Sequence, residues 1–208
     1  DEEEDDDAAP PATPSRKRKA PDVLTVVDGD VLTATEQWLL HQTNATKDAT
    51  LASEADIDWS RTARSKMMAS QVFDKYKYAL IRKGPRDPRQ RVGKAELHRG
   101  DRGVGRRNVA NLFAQLAPRK GSHPKNPFGA EDGPAQRLAR FESALADFAR
   151  QASALRGGLV SVAMPANIGC GKAGGDPGAY RAAVERFAAA HPACRVVLYR
   201  FEPKRGRK

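Results

Sequence analysis

Cysteine is scarce in this chain. Cys170 and Cys194 are the two in 208 residues, and they fall in no Cys-x-x-Cys or other ligand spacing. They make no disulfide framework, so a reducing, intracellular compartment is expected, and no metal site or cofactor. No apolar run approaches the roughly 20 residues of a membrane-spanning helix, and the N-terminus is acidic rather than signal-like. Membrane binding is therefore not expected. Glycine is missing from 45–60, although the chain holds 17. There is no internal repeat.

What is present suits one domain with tails. Residues 1–21 run from seven acidic residues through Pro and Ala to Arg16-Lys17-Arg18-Lys19. Such a segment cannot bury enough surface to offset chain entropy and is expected to be disordered. Its basic run reads either as a nuclear localisation signal or as a solvated spacer. The domain is expected over 22–203, followed by a basic tail over 204–208. The net charge of +10 is uneven: 61–107 alone holds 15 basic and 4 acidic residues. That segment points toward a phosphate-bearing partner or a solvated face. Its aromatics, such as Tyr76 and Tyr78, make no obvious stacking platform for bases.

Along the chain, Val23-Leu24-Thr25-Val26-Val27 reads as a buried strand and 37–42 as a second, with Asn44 just beyond it. A helical period over 61–76 brings Met68, Val72, Phe73 and Tyr76 to one face. Strands are expected over 94–98 and 108–114, and a proline-rich loop over 118–134. An amphipathic helix follows over 135–154, with Leu138, Phe141, Leu145 and Phe148 on its core stripe. A second such helix spans 177–190, and the last strand spans 195–201. About six strands alternating with three helices predict a three-layer α/β/α fold around a mixed or largely parallel sheet.

The chain is organised around 160–176. A short apolar run, Leu159-Val160-Ser161-Val162-Ala163-Met164, meets the length and branching of a strand. Gly169, Gly171, Gly174 and Gly175 follow within seven residues, and then Asp176-Pro177 opens a helix. Strand, glycine loop and helix N-terminus in that order suit an anion cradled by backbone N–H groups. The alternative is a glycine-rich turn that only joins two elements. The spacing is neither the P-loop nor the dinucleotide fingerprint.

Met164-Pro165-Ala166-Asn167-Ile168-Gly169-Cys170-Gly171-Lys172-Ala173-Gly174-Gly175-Asp176 resembles the last phosphate loop of macrodomains. The nearest subgroup looks like that of terminal ADP-ribose protein glycohydrolase and ADP-ribose 1″-phosphate phosphatase. Val27-Asp28-Gly29-Asp30-Val31, His41-Gln42-Thr43-Asn44 and the strand from Asn108 to Gln115 match further family motifs in the right order. The resemblance implies a macrodomain-like fold and a cleft for ADP-ribose or an ADP-ribosylated target. It implies that Asp30 and Val31 meet adenine and that Asn44 faces the distal ribose. Ile168, Gly169, Cys170, Gly171, Lys172, Ala173, Gly174 and Gly175 would line the phosphates.

Two departures bear on activity. The family's first glycine loop has no counterpart in 45–60, and glycine is what lets a backbone approach a pyrophosphate closely. The subgroup's catalytic lysine falls, by alignment, on His98, and its catalytic aspartate on Ala173. His98 is thus the candidate catalytic residue, a general acid or base if it is not simply exposed. No lysine–sugar adduct is expected from that alignment. Binding of ADP-ribose ranks first, hydrolysis of an ADP-ribose bond second, and weak nucleic-acid binding by a degenerate scaffold third. A monomer is the default expectation.

Overall fold

The computed structural model describes residues 23–45, 87–100, 107–117, 120, 122–124, 126–171 and 173–201. The expected tails, the helix over 61–76 and Lys172 lie outside the described residues. Six strands form one sheet: β1 (Leu24–Asp28), β2 (Trp38–Asn44), β3 (Ala95–His98), β4 (Asn108–Gln115), β5 (Ser161–Pro165) and β6 (Arg195–Arg200). Their order is β1-β6-β5-β2-β4-β3. Every neighbouring pair is parallel except β3 with β4. The mixed six-stranded α/β sheet is the one the alternation of elements predicts.

Two helices, α1 (Pro134–Ser153) and α2 (Pro177–Ala190), cover one face. Period-two alternation sends Trp38, Leu40, Leu112, Val162, Met164 and Leu198 to that face, where they pack with Phe141, Leu145, Phe148, Tyr180, Val184 and Phe187. The Trp38 and Phe148 rings meet edge to face at 5.8 Å, an arrangement the aromatic quadrupole favours. The opposite face carries Leu39, Val109 and Ala163, closed by Val31 and Ala34 from a 3-10 turn over Val31–Thr33. Its described residues supply no helix.

One sequence expectation fails here. β1 reads as a buried strand, yet Val26 and Val27 are 38% and 36% exposed. The sheet order places β1 at an edge, hydrogen-bonded to β6 alone among the described strands. Branched residues favour a pleated strand anywhere in a sheet, so composition could not distinguish edge from centre. Among the described residues no helix is long and apolar enough to cross a membrane. No group of three or more His, Cys, Asp or Glu side chains among them is placed to hold a metal ion.

Candidate functional site

In a parallel sheet, ligands meet the carboxyl ends of the strands, where the loops and helix N-termini lie. β5 ends at Pro165 and the chain turns through 166–176 into α2. Asp176 is the N-cap, accepting the Ala179 N–H at 2.8 Å, and Pro177 takes the first helical position. The loop is braced internally. The N–H groups of Ile168, Cys170, Gly174 and Gly175 donate to the carbonyls of Pro165, Asn167, Gly171 and Gly169.

The four glycines divide into distinct roles. A Cβ on Gly169 would stand 2.0 Å from Tyr180 Cε1, and one on Gly175 would stand 2.3 Å from Tyr180 Cε2. The Tyr180 ring of α2 therefore lies between these two residues and packs at a tilt against Phe141, ring centroids 4.9 Å apart. Both glycines are needed for packing. A Cβ on Gly174 would meet the Lys120 stem, with Cγ at 3.0 Å. Gly171 alone of the four faces open space, with nothing within 4 Å of a Cβ. Gly169 and Gly174 hold φ values of 74° and 73°, the left-handed region that other residues resist.

Burial governs the polar groups under this loop. Burial pushes the Tyr180 phenol up to about 12, with the neighbouring Gln42 offsetting part of the rise, so it stays protonated at neutral pH. Cys170 donates its thiol to the Ile168 carbonyl at 3.2 Å. Burial, and then the Asp176 carboxylate, raise that thiol above its ordinary range, so it is a small neutral side chain rather than a nucleophile. The Ile168 side chain is buried in the core and anchors the loop, so only its backbone can face a ligand.

The neighbouring strand ends bring further residues to this edge. Asp30 and Val31 follow β1, and Asn44 ends β2, paired with Gln115 at the end of β4. Asp30 Oδ1 accepts the Leu32 N–H at 3.1 Å and caps the 3-10 turn. The Val31 side chain is buried against Leu39 and Ala163, so it too can offer a ligand only its backbone. Asp30, Asn44 and the loop thus share the carboxyl edge, with Lys172 outside the described residues.

His98 does not join them. β3 runs antiparallel to β4, and His98 pairs with Val109 near the beginning of β4. The end of β3 is consequently carried toward the amino ends of the parallel strands. There His98 Nε2 lies 2.8 Å from Glu96 Oε1 and 3.2 Å from Asn111 Nδ2. Arg91 pairs with Glu96 on its other side and stacks on Phe113 at 4.0 Å. Burial alone would raise the Glu96 carboxyl, but the His98 and Arg91 hydrogen bonds outweigh it and hold the group below its ordinary range. This polar chain is built on β3, which β4 and β2 separate from β5, the strand that leads into the glycine loop.

The strand whose carboxyl end does reach the loop is β4, and the segment after it carries Lys120. Sequence reasoning passed over this residue because it sits in the proline-rich loop. The signal that could have found it is its position a few residues past a strand end. Asp132, fully buried, captures the N–H groups of Leu116 and Ala117 at 2.8 and 3.1 Å as the chain leaves β4.

No family model and no curated protein matches this sequence. Among solved structures, the macrodomain of Mycobacterium tuberculosis DarG superposes with a TM-score of 0.54 at 19% identity, covering 85% of this chain and 96% of that one. The chain has the macrodomain fold. A protein of unknown function from Bacteroides thetaiotaomicron matches it with a TM-score of 0.57 at 17% identity, covering 85% and 97% of the two chains. More distant is the Trypanosoma brucei macrodomain in complex with ADP-ribose, at a TM-score of 0.48 and 12% identity, covering 88% and 67%. Within the macrodomain fold of this chain, the 166–176 loop occupies the β5–α2 connection at the carboxyl edge of the sheet.

Proposed function

We propose that this macrodomain-fold protein binds ADP-ribose, free or attached to a target, at the carboxyl edge formed by the 166–176 loop, Asp30 and Asn44. The observation that carries the reading is Gly171, the loop glycine that neither packs on a side chain nor sits at positive φ. A glycine with no packing duty leaves backbone exposed for close approach. The N–H groups of Gly169, Gly171 and Ala173 have no acceptor among the described residues, which leaves them available to an anion. The sequence resemblance supplies the ligand class.

Calorimetric titration with ADP-ribose tests this, with a micromolar Kd, about −8 kcal/mol, as the expected result. A Cβ at Gly171 meets nothing within 4 Å, so Gly171→Val should abolish binding while the urea midpoint changes little. No binding by the unmodified protein at millimolar ligand refutes the reading.

A second reading is hydrolysis, favoured by the Lys120 stem lying across Gly174. An amine there could attack the anomeric carbon, expel the acceptor atom with the amine's proton, and be freed by water. The absence of a lysine adduct expected from His98 does not carry over, because His98 does not reach this edge. Borohydride reduction during turnover, read by intact mass, tests it: a trapped adduct that disappears in Lys120→Ala supports hydrolysis, and turnover without one rejects this route. The nucleic-acid reading ranks third: of its basic segment, Arg89, Arg91 and Arg107 are paired within the fold, and most of the remainder lies outside the described residues.

A further inference from the structure

Arg137 lies in the first turn of α1 and is 1% exposed, an unusual place for a guanidinium. Its partner is Asp132, 0% exposed. A buried ion pair is weak evidence of stabilisation in itself, since desolvation opposes the attraction. What the pair touches is more informative. Arg137 Nη1 donates to the Ala173 carbonyl at 2.9 Å, and Nη2 donates to the Ala117 carbonyl at 3.4 Å as well as to Asp132. Asp132 in turn accepts the Leu116 and Ala117 N–H groups and the Asn126 amide. Asn126 Nδ2 also reaches the Lys120 carbonyl at 3.5 Å. One buried unit therefore grips both the glycine loop and the segment that carries Lys120. Those two segments also meet above it, where Lys120 crosses Gly174.

We propose that Arg137 is a positioning residue for the phosphate-binding loop: its planar fork fixes the Ala173 turn against the end of β4, setting the distance between the loop amides and Lys120. The proposal rests on the ADP-ribose reading above. A guanidinium can span two carbonyls and a carboxylate at fixed angles, whereas a lysine ammonium is a point donor and cannot. Arg140 provides the contrast. It donates to Asp132 Oδ1 at 3.2 Å but bonds no loop carbonyl among the described residues, so it neutralises the same carboxylate without holding the turn.

The test compares Arg137→Lys and Arg140→Gln with the unmodified protein, measuring Kd for ADP-ribose and, by NMR titration, for adenosine. Arg137→Lys should weaken ADP-ribose at least tenfold and leave adenosine unchanged, because adenosine has no phosphate to meet the loop. Arg140→Gln should change neither affinity, even where it lowers thermal stability. A loss of stability alone scales both ligands together, so the ratio separates positioning from folding. Equal ADP-ribose affinity in Arg137→Lys, or a parallel loss for adenosine, overturns the proposal. Should Arg137→Lys fail to fold, amide exchange on the unmodified protein decides. ADP-ribose should then slow exchange at Leu116 and Ala117 as well as in the loop, and protection confined to the loop overturns the coupling. If the unmodified protein binds no ADP-ribose, the functional reading fails first and is distinguished by that result.

Discussion

Adding one methyl group at Gly169 and at Gly171 should have opposite consequences. In Gly169→Ala the new Cβ lands 2.0 Å from Tyr180 Cε1, far inside van der Waals contact, on a residue held at φ 74°. Left-handed strain in a non-glycine residue costs about 1–2 kcal/mol. Forcing extra volume into a filled site costs about 1–3 kcal/mol more, because the ring is wedged between Gly169 and Gly175 and packed against Phe141. The combined loss is about 2–5 kcal/mol, a large share of the roughly 5–15 kcal/mol that holds a domain folded. With a urea dependence of about 2 kcal/mol per molar, the unfolding midpoint should fall by about 1–2.5 M. Gly171→Ala meets neither penalty, and the unfolded chain loses some freedom, so its midpoint should hold or rise by the equivalent of at most about 1 kcal/mol. A double-mutant cycle isolates the cause. In a Tyr180→Leu background the clash is relieved, and the Gly169→Ala penalty should shrink to the backbone strain of about 1–2 kcal/mol. Equal midpoints for the two alanine variants would refute the division of glycine roles, as would a Gly169 penalty indifferent to residue 180.

Acid should destabilise the fold through Glu96 and Asp147. Burial works to raise the Asp147 carboxyl, but the Ala95 N–H, Arg150 and Gln151 together hold it below its ordinary range. A depressed folded-state pKa gives stability that is present above the unfolded value and is lost as pH falls through the folded one. Melting temperature should therefore drop as pH falls below the usual carboxylate range, and Asp147→Asn should flatten that drop; an unaltered profile would contradict it. Charge reversal at Arg91 should damage folding rather than probe a surface, since its side chain is 11% exposed and paired with Glu96. About 2 kcal/mol is expected, below the cost for a fully buried pair because Glu96 keeps some solvent contact. An unmoved urea midpoint for Arg91→Glu would show the pair to be dispensable.

The elements were legible because their signals are local. The stripe of Phe141, Leu145 and Phe148 marks α1, and Asp176-Pro177 marks the start of α2 within a residue of the observed bounds. What the sequence hid depends on contacts across the fold. That Gly169 and Gly175 also make room for the Tyr180 ring is not visible in their spacing. His98 looked like a strand-end catalytic group because an alignment preserves order but carries no strand direction. The antiparallel pairing with β4 removes it from the site. Nothing in the sequence singles out Arg137, and only the buried Asp132 explains why it faces inward.

The strand order also has a kinetic meaning. β2 and β5 are central neighbours, yet the contact that begins their pairing, Gln37 with Ser161, spans 124 positions. β1 waits longer still, since its partner β6 matches Leu24 with Val196. Closing such long loops is slow, because chain entropy is lost before the contacts that compensate it form. During synthesis the first strand must emerge with its hydrogen-bonding edge unmatched until the last strand arrives. Val26 and Val27 on that edge then present a short apolar template, so this nascent segment is where a chaperone would be needed first.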